Sequence, residues 1–302
     1  MSGTPPRPTP GEGTGRLAAA VSAAVVVAGR HGVAVDDPVV LRDGLNAVVH
    51  LRPAPLVARV ATWIPLLRPD PAGPQRRDLE LARALHTAGA AVLSPTDLLP
   101  AGPHTEAGFS IAFWRHVDVL PERPTPEVAG RTLAELLPLL AGVDPGWTGS
   151  PLDTPLRDLA EFTRTGARLG ADPGLVVGIG DLVDALRPRL TGPVQPLHGD
   201  AHPGNLLATP DGWVWADLED TCRGPRAWDL AALRTTSRLD GRAALDAMPG
   251  PPDDEELAPF LLLRQLHGAA WWFPHAARVP ADLPQARERL ARAVAEVAAA
   301  LR

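Results

Sequence analysis

The chain has 302 residues, 45% hydrophobic and 21% charged, the balance of a soluble globular protein long enough for about two domains. Its formal net charge is −6, it has no lysine so that every fixed cation is an arginine, and no basic run points to nucleic acid. A single cysteine, Cys222, excludes an internal disulfide framework and fits a reducing, cytoplasmic setting.

Residues 1–14 are rich in Pro and Gly and read as a disordered tail. The apolar run LAAAVSAAVVVAG, 17–29, is too short to span a bilayer, and the long, barely basic stretch before it is unlike a secretory leader. Residues 16–30 therefore read as an Ala/Val-rich helix packed on the domain. Three β-rich runs follow, 39–42, 46–51 and 56–61, divided by turns at Asp43-Gly44 and Pro53-Ala54-Pro55, which is the pattern of an antiparallel meander. Residues 75–88 are an amphipathic helix, and two further strands are expected near 91–98 and 109–114. From about 120 onward the pattern is helical: 126–141, 153–168, 175–189, 227–239, 254–272 and 284–301. One hairpin, 205–217, interrupts it. The reading is an α+β chain of two lobes, a small antiparallel β-rich lobe over 15–117 and a larger, mainly helical lobe over 118–302.

The chemistry concentrates in HGDAHPGN, 198–205, and in the hairpin after it. A type I turn at Pro210-Asp211, completed by Gly212 in a left-handed conformation, gives a three-residue loop that pairs Thr209 with Trp213. Counted outward, Asn205 then faces Asp217, and both lie beside Asp200. A few oxygen ligands of this kind suit Mg²⁺ bound to substrate phosphates, and a further carboxylate can take a proton from an alcohol. These are the parts of a phosphoryl-transfer site. The alternative, zinc held by His198 and His202, is disfavoured: Gly199 and Pro203 oppose the helix that would align them, and no Cys or Glu completes a set.

HGDAHPGN, with WADLED at 215–220 and GPRAWDLAAL at 224–233, resembles the aminoglycoside phosphotransferase/choline kinase family. The likeness runs over about 35–275 and is strongest at 196–234. It implies a protein-kinase-like fold, ATP and Mg²⁺ as cofactors, and a small-molecule hydroxyl as acceptor. Asp200 becomes the catalytic base, and Asn205 and Asp217 the Mg²⁺ ligands. Arg59, in LVARVA, takes the place of the phosphate-gripping cation on the third strand, with Glu80, in DLELARAL, as its helix partner. The segment RDGLNA, 42–47, with Asn46, becomes the loop over the phosphates, although it lacks a GxGxxG pattern. The adenine hinge falls within 113–117.

The same likeness makes Asp229 a buried brace of the catalytic loop, which His198 also supports. Glu219 and Asp220 are candidates for acceptor or second-metal contacts. Arg264, His267, Trp271 and Trp272 form one helical stripe; core packing is its default role, and His267 and Trp271 are the candidates to wall an acceptor pocket. Asp253–Glu256 reads as a helix N-terminus, Trp213 and Trp215 as structural, and Cys222 as inert. The expected activity is that of an ATP-dependent kinase on an antibiotic or on a metabolite such as choline, a sugar or an amino alcohol. A pseudokinase that binds nucleotide without transfer is the rival from another class. Neither nucleic acid nor a membrane is expected as partner.

Overall fold

The computed structural model describes residues 12–302. The expected tail lies outside the described residues over 1–11, and its last residues, 12–14, belong to helix α1 (Glu12–Arg30). α1 buries Ala20, Ala23, Ala24, Val27 and Ala28 against a β-sheet, one stripe at helical spacing, so the apolar run of the sequence is a packing face. No helix among the described residues is long and apolar enough to cross a membrane.

The sheet is formed by β1 (Val35–Asp43), β2 (Asn46–Pro53), β3 (Leu56–Ala61), β4 (His104–Glu106) and β5 (Phe109–Arg115), with α2 (Ala72–Thr87) inserted after β3. The strand order is β1-β2-β3-β5-β4, and all neighbours are antiparallel. The strand expected near 91–98 does not form. That stretch makes two isolated bridges, Val92 to Trp215 and Pro95 to Trp114, because Pro95 has no N–H to give a ladder. β4 is the strand of this sheet that the sequence did not announce; the short strands Val194–Pro196 and Arg223–Pro225, which pair outside it, were not announced either.

Alternation along β3 sets the site. Leu56, Ala58 and Val60 join the core under α1, while Val57 and Arg59 face the other way, toward α2. α2 turns a stripe of Gln75, Asp78, Leu79, Ala82 and Leu85 inward. Asp78 therefore meets Arg59.

Beyond Arg115 the chain enters α3 (Pro126–Gly142), α4 (Asp153–Thr165) and α5 (Pro173–Leu186). The short strand β6 (Val194–Pro196) leads into the loop 198–205 and pairs with β9 (Arg223–Pro225); between them lie β7 (Leu206–Thr209) and β8 (Gly212–Trp215). Four helices complete the fold: α6 (Ala227–Arg234), α7 (Gly241–Asp246), α8 (Asp254–Arg278) and α9 (Leu283–Leu301). α7 is too short to show a period and was not expected; Asp240 caps it. α6 stops at Arg234, short of the expected 239. α8 runs past the expected 272, since Phe273 and Ala276 continue its buried stripe. Asp253 caps α8 by accepting from Glu256 N at 2.7 Å, so 253–256 is the helix start the sequence indicated.

The hairpin register differs from expectation by one step. Thr209 pairs with Gly212 and Leu206 with Trp215, so the loop holds two residues, Pro210 and Asp211. Gly212, at φ 119°, is itself paired, and Thr209 Oγ1 donates to its carbonyl at 2.8 Å. Asn205 consequently lies opposite Ala216, whose N–H donates to Asn205 O at 2.8 Å. Asp217 comes one residue later, at φ 69°, a left-handed conformation that Asp tolerates better than most residues and that turns the chain out of the hairpin.

Candidate active site

The loop 198–205 is held from beneath. Asp229 on α6 is fully buried and accepts the N–H groups of His198 at 2.9 Å and Gly199 at 2.8 Å. Burial pushes its carboxyl up, against the pull of His198 and the two amides. Trp228 Nε1 donates to Gly199 O at 2.7 Å. Within the loop, His198 Nδ1 accepts from Asp200 N at 3.4 Å and His202 Nδ1 from Gly204 N at 2.9 Å. Gly199 has φ 91°, and a Cβ there would sit 2.1 Å from the carbonyl oxygen of Asp220. This close approach ties the loop to the 217–220 segment. Gly199→Ala is therefore expected to cost at least about 2 kcal/mol in urea unfolding, from left-handed strain together with a backbone clash.

Asp200 is set by its neighbours. Arg264 on α8 donates to Oδ1 at 2.6 Å and to Gly199 O at 3.3 Å, and its guanidinium lies 4.8 Å from the Trp228 ring centre. His202 Nε2 is 3.3 Å from Oδ2. Burial opposes ionisation of Asp200, but Arg264 first and His202 next hold its carboxyl well below the usual range. Asn205 Nδ2 donates to Asp200 O at 3.0 Å, which leaves Oδ1 as the acceptor of that amide.

Across the cleft, Arg59 contacts three carboxylates: Asp78 at 2.8 Å, and Asp217 and Glu219 at 2.5 Å each. Asn46 Nδ2 adds a 2.9 Å bond to Glu219. Burial raises the carboxyls of Asp78 and Glu219; Arg59 opposes this, and Asp217 adds to it. The expected partner of Arg59, Glu80, is not there. It stands two residues from Asp78, about 200° around the helix, is exposed, and accepts from Trp147 Nε1 at 3.1 Å.

A second buried arginine, Arg68, organises the wall. It binds Asp158 through two bonds, 2.9 and 2.6 Å, and Asp220 at 2.6 Å. Asp158 also lies 2.9 Å from His267 Nε2 and accepts from Trp271 Nε1 at 3.2 Å. The expected acceptor-site residues Glu219, Asp220, His267 and Trp271 thus all reach one place, with their polar atoms already engaged. Asp78, Arg68 and Asp158 escaped the sequence reading. Asp78 had a signal, since it is in phase with the buried stripe of α2. Arg68 and Asp158 had none, because a 90-residue separation joins them.

Asp200, Asn205, Asp217, Arg59, Asn46 and Trp271 line one cavity of about 520 Å³ between the sheet and the helices. A larger cavity, about 790 Å³, opens behind Arg68 and Asp158, but it holds no residue of the loop 198–205, so the chemistry belongs to the smaller one. Cys222 is buried; burial, with Asp229 nearby, pushes its thiol up to about 12, as expected of an inert cysteine.

Solved structures share this architecture. The choline kinase LicA from Streptococcus pneumoniae aligns with a TM-score of 0.61 at 14% identity, covering 90% of this chain and 98% of its own. A microcompartment-associated aminopropanol kinase aligns at 0.61 and 19% identity, covering 90% and 96%. The GDP and kanamycin complex of APH(2")-IIia aligns at 0.59 and 16% identity, covering 87% and 95%. The fold is thus protein-kinase-like. No curated protein sequence matches the chain. Residues 16–250, most of the length, match the phosphotransferase enzyme family (APH), and the chain belongs to that family.

Proposed function

We propose that the protein transfers the terminal phosphoryl group of ATP, with Mg²⁺, to a hydroxyl of a small molecule. One observation carries this reading: an ionised, buttressed Asp200 and an anchored Asn205 share a cleft with Arg59 and its three carboxylates. The division into lobes at 117/118 and an adenine contact within 113–117 belong to the same reading.

The donor set fits Mg²⁺. One guanidinium faces Asp78, Asp217 and Glu219, so the site carries surplus negative charge, and Asp217 is the most open of the three at 34% side-chain exposure. Among the described residues no three His, Cys, Asp or Glu form a cage, and Mg²⁺ typically takes one or two carboxylates and completes its shell with water and phosphate oxygens. Asn205 Oδ1 and Asp217 would hold the ion, whose charge offsets that of the phosphates when bound. Asp200 orients the acceptor hydroxyl and takes its proton. Arg59, steered by Asp78 and Glu219, grips phosphate oxygens, a task its planar fork suits as well as a lysine would. Catalysis then rests on positioning and charge neutralisation.

Two tests follow. ATP together with Mg²⁺ raises the melting temperature, while either alone does little; no shift with both present overturns the reading. Asp78→Ala weakens ATP affinity at least about tenfold, while Glu80→Ala leaves it within about twofold, as read by calorimetric titration. Equal effects would restore Glu80 as the partner.

A further inference from the structure

We infer that the alcohol presented to Asp200 belongs to an anionic molecule, a hydroxylated carboxylate or phosphate ester whose negative group is read by Arg238; this rests on the phosphotransferase reading above. The first argument concerns the carboxylates. A polycationic acceptor needs free ones. The cavity is lined by Asp200, Asp217, Glu219 and Asp220, and each already contacts a guanidinium: Arg264 for Asp200, Arg68 for Asp220, and a single Arg59 shared by Asp217 and Glu219, whose surplus charge is taken up by the metal in the reading above.

The second argument concerns the aromatic rings. A quaternary ammonium is held by open aromatic faces. The two tryptophans that line the cavity each have an arginine beside the ring: Arg68 lies 4.9 Å from the Trp271 ring centre and Arg289 4.2 Å from that of Trp272. Apart from the charge around Asp217 that the metal takes up, the cleft offers an organic cation no carboxylate without an arginine contact and no lining tryptophan without an arginine beside it.

It does offer positive charge. Among the described residues lining the cavity, Arg42 and Arg238 are exposed and have no carboxylate partner. Arg42, the last residue but one of β1, opens the 42–47 segment that the reading above sets over the phosphates. Arg238 stands beside the catalytic loop. A Cβ at Gly204 would lie 2.7 Å from Arg238 Nε and 2.6 Å from His202 Cε1, and His202 Nε2 is 3.3 Å from Asp200 Oδ2. An unpaired guanidinium therefore stands one imidazole away from the base. It repels an ammonium there and attracts a carboxylate or phosphate, which its fork can bind through two bonds.

The test uses matched hexoses with the full-length protein, Mg²⁺ and ATP: glucose, gluconate, glucose 6-phosphate and glucosamine, with choline and kanamycin added. At least one of the two anions is expected to exceed glucose at least tenfold in kcat/KM, and their ratio tells carboxylate from phosphate. Arg238→Gln removes that advantage through acceptor KM, Arg238→Lys restores part of it, and calorimetric ATP affinity stays unchanged in both. Preference for glucose, glucosamine, choline or kanamycin overturns the inference. So does an anion preference that survives Arg238→Gln, or turnover of neither anion by protein that binds ATP with Mg²⁺. Absence of Mg²⁺-dependent ATP binding fails the phosphotransferase reading instead.

Discussion

Asp200→Asn is expected to lower kcat at least about 10²-fold, the usual scale for losing a general base. The amide keeps the shape of the side chain and its place on the loop, which Asp229 holds through backbone amides that the substitution does not touch. What is lost is the charge. Arg264 holds the carboxyl ionised at neutral pH, so the native base is ready to accept a proton, and an amide is not. ATP affinity survives, because the base does not grip the nucleotide. Arg264 then faces a neutral group but still donates to Gly199 O, so the loss of stability is modest, and a melting curve separates it from the loss of turnover. Near-normal kcat in the variant would remove Asp200 from the chemistry.

Asp217→Ala is expected to abolish Mg²⁺-dependent ATP binding. The variant should fold, since Arg59 keeps Asp78 and Glu219 as partners. It loses the most open carboxylate of the cluster, the one placed by a left-handed backbone turn directly after the hairpin. Asn205→Ala should be milder, because it removes a neutral oxygen and one 3.0 Å bond to the loop. Calorimetric titrations with and without Mg²⁺ decide this, and an Asp217→Ala protein that still binds ATP only with Mg²⁺ at native affinity would refute the assignment.

The sequence made the fold class and the centre of the site legible because both depend on local signals. Gly, Pro and Asn punctuate HGDAHPGN, and period-two and period-3.6 runs mark most strands and helices. Legibility failed where a one-residue count or a distant partner decides. The hairpin pattern was clear, yet its loop is one residue shorter than the turn chemistry implied, which moved Asn205 opposite Ala216. Glu80 follows from a family position, whereas the hydrophobic phase of α2 turns Asp78, two residues earlier, toward Arg59. The Arg68–Asp158 pair left no trace, since an ion pair between distant segments has no spacing rule. Buried arginines also change what the acidic residues mean: Glu219 and Asp220 look like an open cation site in sequence, and in the fold Arg59 and Arg68 contact them.

The central claim, that this cleft moves a phosphoryl group from ATP to an alcohol, is tested most directly by ³¹P NMR of ATP and Mg²⁺ with the acceptor panel, in the native protein and in Asp200→Asn. The account predicts a phosphate monoester resonance growing one for one with ADP in the native protein and at least about 10²-fold more slowly in the variant. Inorganic phosphate alone, formed at equal rates by both proteins, would contradict it.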